Sequence, residues 1–225
     1  MTKIGTLEDF KHFAKDKCGV LPSVLDSQVK NFVVPSIIED RPSAQRILEM
    51  SVFSRLCQDR ILFLNGEVNQ ESCNTLVAQM LYLSSIDDRD ISLYVSSPGG
   101  DVVAGLSVID TMDFIKPQVA TTCIGMAASM GAVILSNGEK GKRFVLPHSR
   151  VMIHSVSSKY GGHTADIKIE MEQTLRCQND VYAILAKNMG KPFEEIEAMC
   201  DRDKWLIGQE AVDAHVADVL ITKQN

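Results

Sequence analysis

Apolar runs that alternate with amphipathic stretches organise the chain from Val52 onward. The runs ILFLNGEV (61–68) and ISLYVSSPGG (91–100) are short and end in glycine turns, which is typical of buried strands. Between them, residues 71–84 carry apolar side chains at the spacing of a helix that buries one face. Strands that alternate with helices predict an α/β fold class.

The alternation continues to the end of the chain. The predicted elements are a helix over 102–114, a strand over 118–125, a helix over 126–138, strands over 142–147 and 150–156, a long helix over 164–189, a helix after Pro192 and a closing segment over 205–222. The long helix carries one apolar stripe, which includes Ile167, Met171 and Leu175. Such a helix covers the core or projects toward a partner subunit, and its length slightly favours the second interpretation.

The first 50 or so residues follow a different pattern. Leu7, Phe10 and Phe13 predict a short amphipathic helix, and Pro22 and Pro35 interrupt the chain after it. We therefore expect an extension or a loop-bearing arm here rather than a part of the core.

Composition and charge exclude several classes of protein. The 225 residues are 45% hydrophobic and 23% charged, as in globular domains, and the net charge of -6 disfavours binding to nucleic acid. None of the six cysteines lies in a C-x-x-C pair, so zinc-ribbon and thioredoxin-type sites lose support. The charged N-terminus lacks the apolar core of a secretory signal, which predicts a cytoplasmic protein with free thiols.

One uncharged stretch, residues 117–138, is long enough at 22 residues to cross a bilayer. It nevertheless contains threonines, serines, Gln118, Asn137 and three glycines. We therefore predict that it forms protein interior and that the chain does not span a membrane.

Two segments within these elements could perform chemistry. GMAASMGA (125–132) places Ser129 after a predicted strand at a helix start, where a hydroxyl is exposed and backbone N–H groups can stabilise an oxyanion. SPGG (97–100) is a turn whose glycines let a ligand approach the backbone closely. Taken alone, the first is better explained by tight packing and the second by an ordinary turn.

Two further residues could complete such a site. His154 stands at the end of the apolar strand RVMIH, and Asp203 lies in DRDKW beside Trp205, which predicts partial shelter for the carboxylate. A carboxylate can orient a histidine and stabilise its imidazolium. A lone histidine is more often a core or surface residue, however, and an acidic cluster is more often a solvated helix entry. No H-x-x-x-H or H-E-x-x-H spacing supports a metal site.

Together, four motifs resemble one family. SPGGDVVAGL, GMAASMGA, KGKRFVLPHSRVMIH and DRDKW occur in the order and at the spacing of the ClpP family, the proteolytic subunits of the Clp protease. The resemblance covers residues from about 52 to 220. It implies a ClpP/crotonase-like α/β fold of repeated strand–strand–helix units, with residues 164–189 as a projecting handle helix.

The resemblance also implies a catalytic apparatus. It makes Ser129 the nucleophile, His154 the general base and Asp203 the carboxylate that orients the histidine. The backbone N–H groups of Gly100 and Met130 would form the oxyanion hole. The implied activity is that of a serine endopeptidase that hydrolyses unfolded proteins to short peptides, with no metal and no organic cofactor.

The resemblance further implies an assembly. Members form homo-oligomers of two stacked heptameric rings around a chamber, and an AAA+ unfoldase of the Clp type feeds in unfolded protein substrates. This chain has no G-x-x-x-x-G-K-[ST] pattern, so ATP hydrolysis would belong to that partner. The implied domains are an N-terminal extension or propeptide over 1–35, an axial-loop-like arm over 36–51 and a peptidase domain over 52–222.

One segment departs from the family's pattern. After the histidine, where the family commonly has Gln-Pro and a glycine-rich stretch, this chain has Ser155-Val156, then SSKY, and only then Gly161-Gly162. In the family this segment contributes to ring pairing and to the substrate path. This departure leaves open a non-catalytic ring subunit that pairs with an active paralogue. A second alternative is a crotonase-type acyl-CoA enzyme, which would reuse the oxyanion cage of Gly100 and Met130.

Overall fold

The computed structural model describes residues 36–41 and 46–223, with side chains from Ser51 onward. The chain divides into two compact units between Arg55 and Leu56. The amphipathic helix predicted around Leu7, Phe10 and Phe13 lies outside the described residues and stays a prediction.

A β-hairpin occupies the predicted arm over 36–51. Strand β1 (Ser36–Arg41) pairs antiparallel with β2 (Arg46–Ser51). Helix α1 (Val52–Gln58) follows β2 without an intervening loop. The role of the hairpin at a ring axis stays a prediction.

The second unit is built on a seven-stranded sheet. Five strands run parallel in the order β3 (Ile61–Asn65), β4 (Ile91–Ser97), β5 (Val119–Ala128), β6 (Arg143–Val145) and β9 (Val219–Leu220). Strand β7 (Arg150–Ile153) adds in parallel to β5, and β8 (Lys204–Ile207) pairs antiparallel with β7. The helices are α2 (Gln70–Ile86), α3 (Val102–Phe114), α4 (Met130–Ser136), α5 (Thr164–Met189), α6 (Phe193–Cys200) and α7 (Gln209–Asp213). The predicted α/β class is confirmed.

Strand β5 serves two neighbours in succession. Its first half pairs with β6 and its last three residues pair with β7. Between these halves the register with β4 shifts, so that Val95 faces Cys123 but Ser97 faces Ala127. Gly125 lies in this bulge with a φ of +74°, a backbone conformation that glycine adopts at little cost. The bulge bends the strand and re-aims its C-terminal end.

The second pairing of β5 corrects one predicted boundary. The helix predicted over 126–138 begins only at Met130, because β7 pairs with Met126–Ala128 and keeps these residues extended. Small residues fit either conformation, so long-range pairing decided the boundary. The residue left between the strand and the helix is Ser129.

Helices α2 and α3 both begin at capping side chains. Asn69 accepts the N–H of Ser72 at 3.0 Å, and the Ser72 hydroxyl accepts the N–H of Asn69 at 3.1 Å, which completes a capping box. Asp101 accepts the N–H of Ala104 at 2.7 Å and so begins α3 directly after the SPGG turn.

The uncharged stretch 117–138 forms β5, the Ser129 turn and α4. Helix α4 is buried along its whole length, and Cys123 and Ala127 of β5 are fully buried. The prediction that this stretch forms protein interior is confirmed. Among the helices that the structure describes, none is both long and apolar enough to cross a membrane.

Helix α5 is buried only toward its C-terminal end. Val181 and Leu185 are buried there, whereas Ile169 and Met171 near the N-terminal end are more than half exposed. Exposed apolar side chains on a 26-residue helix agree with the predicted projecting handle rather than with a helix that covers the core.

A buried ion pair ties the sheet to the ends of two helices. The Arg143 guanidinium bonds both carboxylate oxygens of Asp218 and also donates to the carbonyls of Ser136 and Asn188, at 3.2 and 2.7 Å. Burial alone would raise the pKa of Asp218. Hydrogen bonds and charge from Arg143, with a further hydrogen bond from the Gly141 N–H, lower this pKa below its ordinary value.

Candidate active site

Ser129 occupies the turn between β5 and α4. Its backbone has φ +54° and ψ −125°, a strained conformation that residues other than glycine rarely adopt. The Ser129 N–H donates to the Met152 carbonyl at 2.8 Å, and the Ser129 carbonyl accepts the N–H of Ala132 at 2.9 Å. A strained strand-to-helix turn of this kind lifts a serine hydroxyl out of the sheet, as in a nucleophile elbow.

His154 follows β7, and sheet pairing places it beside Ser129. Because β7 runs parallel to the end of β5, the residues after both strands emerge at the same edge of the sheet. The Nε2 of His154 lies 2.9 Å from the Oγ of Ser129. This distance allows direct proton transfer between the two groups.

Asp203 reaches His154 across the antiparallel pair of β7 and β8. Ile153 faces Lys204 in this pair, so the residue after Ile153 lies opposite the residue before Lys204. The Oδ1 of Asp203 lies 3.1 Å from the Nδ1 of His154. The structure therefore brings the three predicted side chains into one continuous row of hydrogen bonds.

The carboxylate end of this row is open to solvent. The side chain of Asp203 is 62% exposed, whereas that of His154 is 25% exposed. The predicted shelter of Asp203 by Trp205 is wrong, because β8 is an edge strand and Trp205 is itself 45% exposed.

The SPGG turn is bound to Val68 along one side. The Val68 N–H donates to the Gly99 carbonyl, and the Val68 carbonyl accepts the Asp101 N–H, both at 2.8 Å. In such a parallel bridge the intervening residue, Gly100, points its own N–H to the opposite side. Within residues 46–223 this N–H has no acceptor, so it is free to meet a ligand.

Close approach explains why glycine occupies both positions of this turn. A Cβ on Gly99 would lie 2.6 Å from the Ala128 carbonyl oxygen and equally close to the Ser129 Cβ. A Cβ on Gly100 would lie 2.2 Å from the Val68 carbonyl oxygen. The SPGG turn therefore packs directly against the Ser129 turn.

Met130 carries the second predicted oxyanion donor. It is the first residue of α4, so its N–H has no acceptor within the helix. Its side chain is buried against Gly105 of α3. A Cβ added to Gly105 would lie only 2.3 Å from the Cγ of Met130, so glycine is needed there. Helix α3 thereby fixes the position at which α4 begins.

A pocket with both apolar and polar lining opens beside these groups. Its lining includes the apolar residues Val102, Val133, Ile153, Val181 and Leu185, the segment 155–157 and the site residues Gly100, Ser129, Met130 and His154. The sequence does not single out these five apolar residues as parts of a site, because they come from four elements and each resembles an ordinary core residue. Their nearness to the motifs is the one signal available, since Ile153 precedes His154 and Val133 lies one helical turn after Ser129.

The described cysteines and the other described histidines take no part in this arrangement. His148, His163 and His215 are exposed. The cysteines that the structure describes are free, and burial raises the pKa of Cys123 and of Cys200 to about 11. Thiols with so high a pKa carry little thiolate at neutral pH. Within the described residues, no group of three His, Cys, Asp or Glu side chains could hold a metal ion.

Comparison with known proteins places the chain in a family. The family model described as Clp protease matches residues 44–224. Proteins named ATP-dependent Clp protease proteolytic subunit from Bacteroides fragilis and Bacteroides thetaiotaomicron are each 42% identical over 222 residues, which is 97% of this chain and all of the relative. The protein of the same name from Porphyromonas gingivalis is 42% identical over 221 residues, 96% of this chain and 99% of the relative. The resemblance that the four motifs indicated is thus confirmed, and the chain belongs to the Clp protease family.

Proposed function

We propose that this chain hydrolyses peptide bonds with Ser129 as the nucleophile, His154 as the general base and Asp203 as the carboxylate that orients the histidine. The observation that carries the proposal is the unbroken row of hydrogen bonds from Asp203 through His154 to a serine on a strained turn. If Ser129 and His154 served only in packing, these aligned hydrogen bonds would have no explanation.

The activity class follows from the family. The relatives carry the name of a proteolytic subunit, and the chain is accordingly a serine-type peptidase of the Clp protease. The comparisons favour neither the non-catalytic ring subunit nor the crotonase-type acyl-CoA enzyme.

Proton transfer follows from the tautomer that this geometry selects. When the Nδ1–H of His154 donates to Asp203, Nε2 keeps its lone pair and accepts the hydroxyl proton of Ser129. As the Ser129 Oγ attacks a peptide carbonyl, the proton moves to Nε2 and an imidazolium forms beside the carboxylate. His154 then protonates the leaving amine, and it later activates the water that hydrolyses the acyl-enzyme.

The oxyanion of the tetrahedral intermediate needs donors that are already in place. We assign this role to the backbone N–H groups of Gly100 and Met130, which border the same pocket as Ser129. In enzymes of this kind, removal of one such donor costs about 3–4 kcal/mol of transition-state stabilisation. Packing of the two turns against each other supports the assignment, because fixed donors need no reorganisation during the reaction.

The pocket beside Ser129 favours an apolar substrate side chain. Six aliphatic residues line it, and His154 is the one titratable side chain among the residues of the lining. Burial of an aliphatic side chain contributes about 1.5–3 kcal/mol. We therefore expect cleavage after apolar residues rather than after charged ones.

The assembly that we propose is a homo-oligomer of two stacked heptameric rings, served by an AAA+ unfoldase of the Clp type. The relatives are named as subunits of an ATP-dependent protease. This chain lacks the ATP-binding pattern G-x-x-x-x-G-K-[ST], so a partner would hydrolyse ATP. Exposed apolar side chains on α5, such as Ile169 and Met171, are suited to ring contacts. Native mass spectrometry would measure the subunit count and the mature N-terminus together.

A serine-reactive fluorophosphonate tests the proposed nucleophile. We expect the probe to label the peptide that contains Ser129 in the assembled protein, and Ser129→Ala to abolish labelling without unfolding the chain. Ser158→Ala is the matched control, because Ser158 is exposed and lies outside the pocket lining, so this variant should label normally. Labelling at another residue, or an assembled protein that does not label, would refute the assignment.

A further inference from the structure

Ser97 is the first residue of the SPGG turn, and it also contacts the start of α4. It is the last residue of β4 and is fully buried. Its Oγ accepts the N–H of Gly99 at 3.1 Å, and its Cβ lies 3.2 Å from the point that a Cβ on Gly131 would occupy. One small side chain therefore contacts the SPGG turn and the first turn of α4.

The Ser97 hydroxyl stabilises one conformation of the SPGG turn. Gly99 is buried with a φ of +91°, and a buried N–H without an acceptor is costly. A serine hydroxyl two residues earlier supplies that acceptor locally. The conformation held in this way is the one in which the Gly100 N–H points away from Val68 and borders the pocket.

Ser97 also limits how closely α4 can approach the end of β4. The backbone of Gly131 packs tightly on Ser97, because a Cβ at Gly131 would lie 3.2 Å from both the Cβ and the carbonyl oxygen of Ser97. Gly131 is the second residue of α4, directly after Met130. A shift of Ser97 would therefore move the Met130 N–H as well as the Gly100 N–H.

We propose that Ser97 is a positioning residue that sets the separation of the Gly100 and Met130 N–H groups and thereby controls stabilisation of the oxyanion. It lies outside the pocket lining, so it acts on the reaction through the backbone alone. The proposal rests on the proposed peptidase function of the same site.

The test compares Ser97→Ala with the unchanged protein as assembled full-length oligomers. We expect kcat for a short fluorogenic peptide to fall about 10- to 100-fold, because misplaced groups and weakened oxyanion donors cost that much. KM should change less than about twofold, since the pocket is intact and uniform binding is not lost. The Ki of a peptide boronate, whose tetrahedral adduct places an oxygen in the oxyanion hole, should rise by the factor by which kcat/KM falls.

The boronate separates positioning from a merely structural role. Loss of folded protein would lower the fraction of sites that a fluorophosphonate labels, but the remaining sites would keep the original Ki. Ser96→Ala is the matched control, because Ser96 is the preceding residue, faces the other side of β4 and is only partly buried. We expect it to keep the kcat, KM and Ki of the unchanged protein.

A second substitution keeps the proposal testable if Ser97→Ala does not assemble. Ser97→Cys keeps an unbranched side chain with one heteroatom, but sulfur is larger and a weaker acceptor than oxygen, so kcat should fall in the same direction. An assembled Ser97 variant with unchanged kcat, or with lower kcat and unchanged boronate Ki, overturns the proposal. If the unchanged protein itself neither labels nor cleaves, the proposed function fails first and this inference fails with it.

Discussion

The two halves of the site are held in opposite ways. Ser129 and the Gly100 and Met130 donors lie where two turns pack against each other, and α4 behind them is buried throughout. His154 and Asp203 instead stand at the end of β7 and before the edge strand β8, with the carboxylate open to water. The first half is fixed by the backbone of this chain, whereas the second is joined by two side-chain hydrogen bonds.

The exposed half also adjoins the segment for which the sequence predicts a departure from the family's pattern. Directly after His154 the chain enters residues 155–163, which contain no helix or strand and are mostly exposed. A hydrogen bond whose carboxylate partner is open to water contributes little to stability, so the bond between His154 and Asp203 does not hold this region by itself.

Removal of the general base should have the largest effect on activity. His154→Ala should lower kcat by about 10⁴- to 10⁶-fold, because the Ser129 proton then has no acceptor. The measurement is hydrolysis of a short fluorogenic peptide by the assembled protein. His163→Ala, at an exposed histidine that precedes α5 and makes no capping hydrogen bond, should stay within twofold. Comparable losses in both variants would contradict the assignment of the base.

Replacing a glycine by alanine should have a large effect on activity in the first half of the site and a small effect in the segment after His154. In Gly99→Ala the new methyl would meet the Ala128 carbonyl and Ser129 at 2.6 Å and would be held at a positive φ. We expect kcat to fall about 100-fold or more and the variant to be less stable. In Gly161→Ala the methyl would enter open space within the exposed segment, and kcat should change less than about twofold. A larger loss from Gly161→Ala would contradict the proposed difference between the halves.

The sequence predicted the fold class and the central elements well, because these rest on local signals. Apolar runs and helical spacing located β3 to β7, α3 and α5, but not the hairpin strands or β8 and β9. The resemblance carried by the four motifs supplied Ser129, His154 and Asp203, and the structure brings these side chains together while their roles stay a proposal. The start of α4 was missed, because pairing between β5 and β7 determines it and small residues fit a strand or a helix equally well. The exposure of Asp203 was missed for a similar reason, since the position of β8 at the sheet edge is a property of the topology.

Because Asp203 is exposed, its substitution should lower kcat less than substitution of a buried carboxylate would. Asp203→Asn should lower kcat by about 100-fold, less than the about 10⁴-fold loss that follows the same change at a buried triad carboxylate. Water already reaches this carboxylate and can partly solvate the imidazolium. Asp88→Asn, at another exposed aspartate, should leave kcat unchanged. A loss of 10⁴-fold from Asp203→Asn would contradict the expectation that its exposure reduces its contribution.

The smallest effect on activity is expected at the buried ion pair remote from the pocket. Asp218→Asn should leave kcat per fluorophosphonate-labelled site within twofold, because Asp218 contacts Arg143 and the ends of secondary structure but not the pocket lining. It should nevertheless lower the free energy of unfolding at pH 7 by about 3–5 kcal/mol, since a buried guanidinium loses its counter-charge. Asp113→Asn, which removes an exposed partner of Lys187, should cost about 0–1 kcal/mol.

The pH dependence of that loss distinguishes the ion pair from simple packing. The pKa of Asp218 is lower in the folded chain than in the unfolded chain, so its contribution to stability is complete above the unfolded value of about 4. The contribution disappears as the pH falls through the lower, folded value. Urea unfolding at one fixed protomer concentration should therefore show a difference between the unchanged protein and Asp218→Asn that is constant above pH 5 and shrinks below pH 4. A difference in the free energy of unfolding that persists unchanged below pH 4 would show that packing, and not the charge of Asp218, stabilises this region.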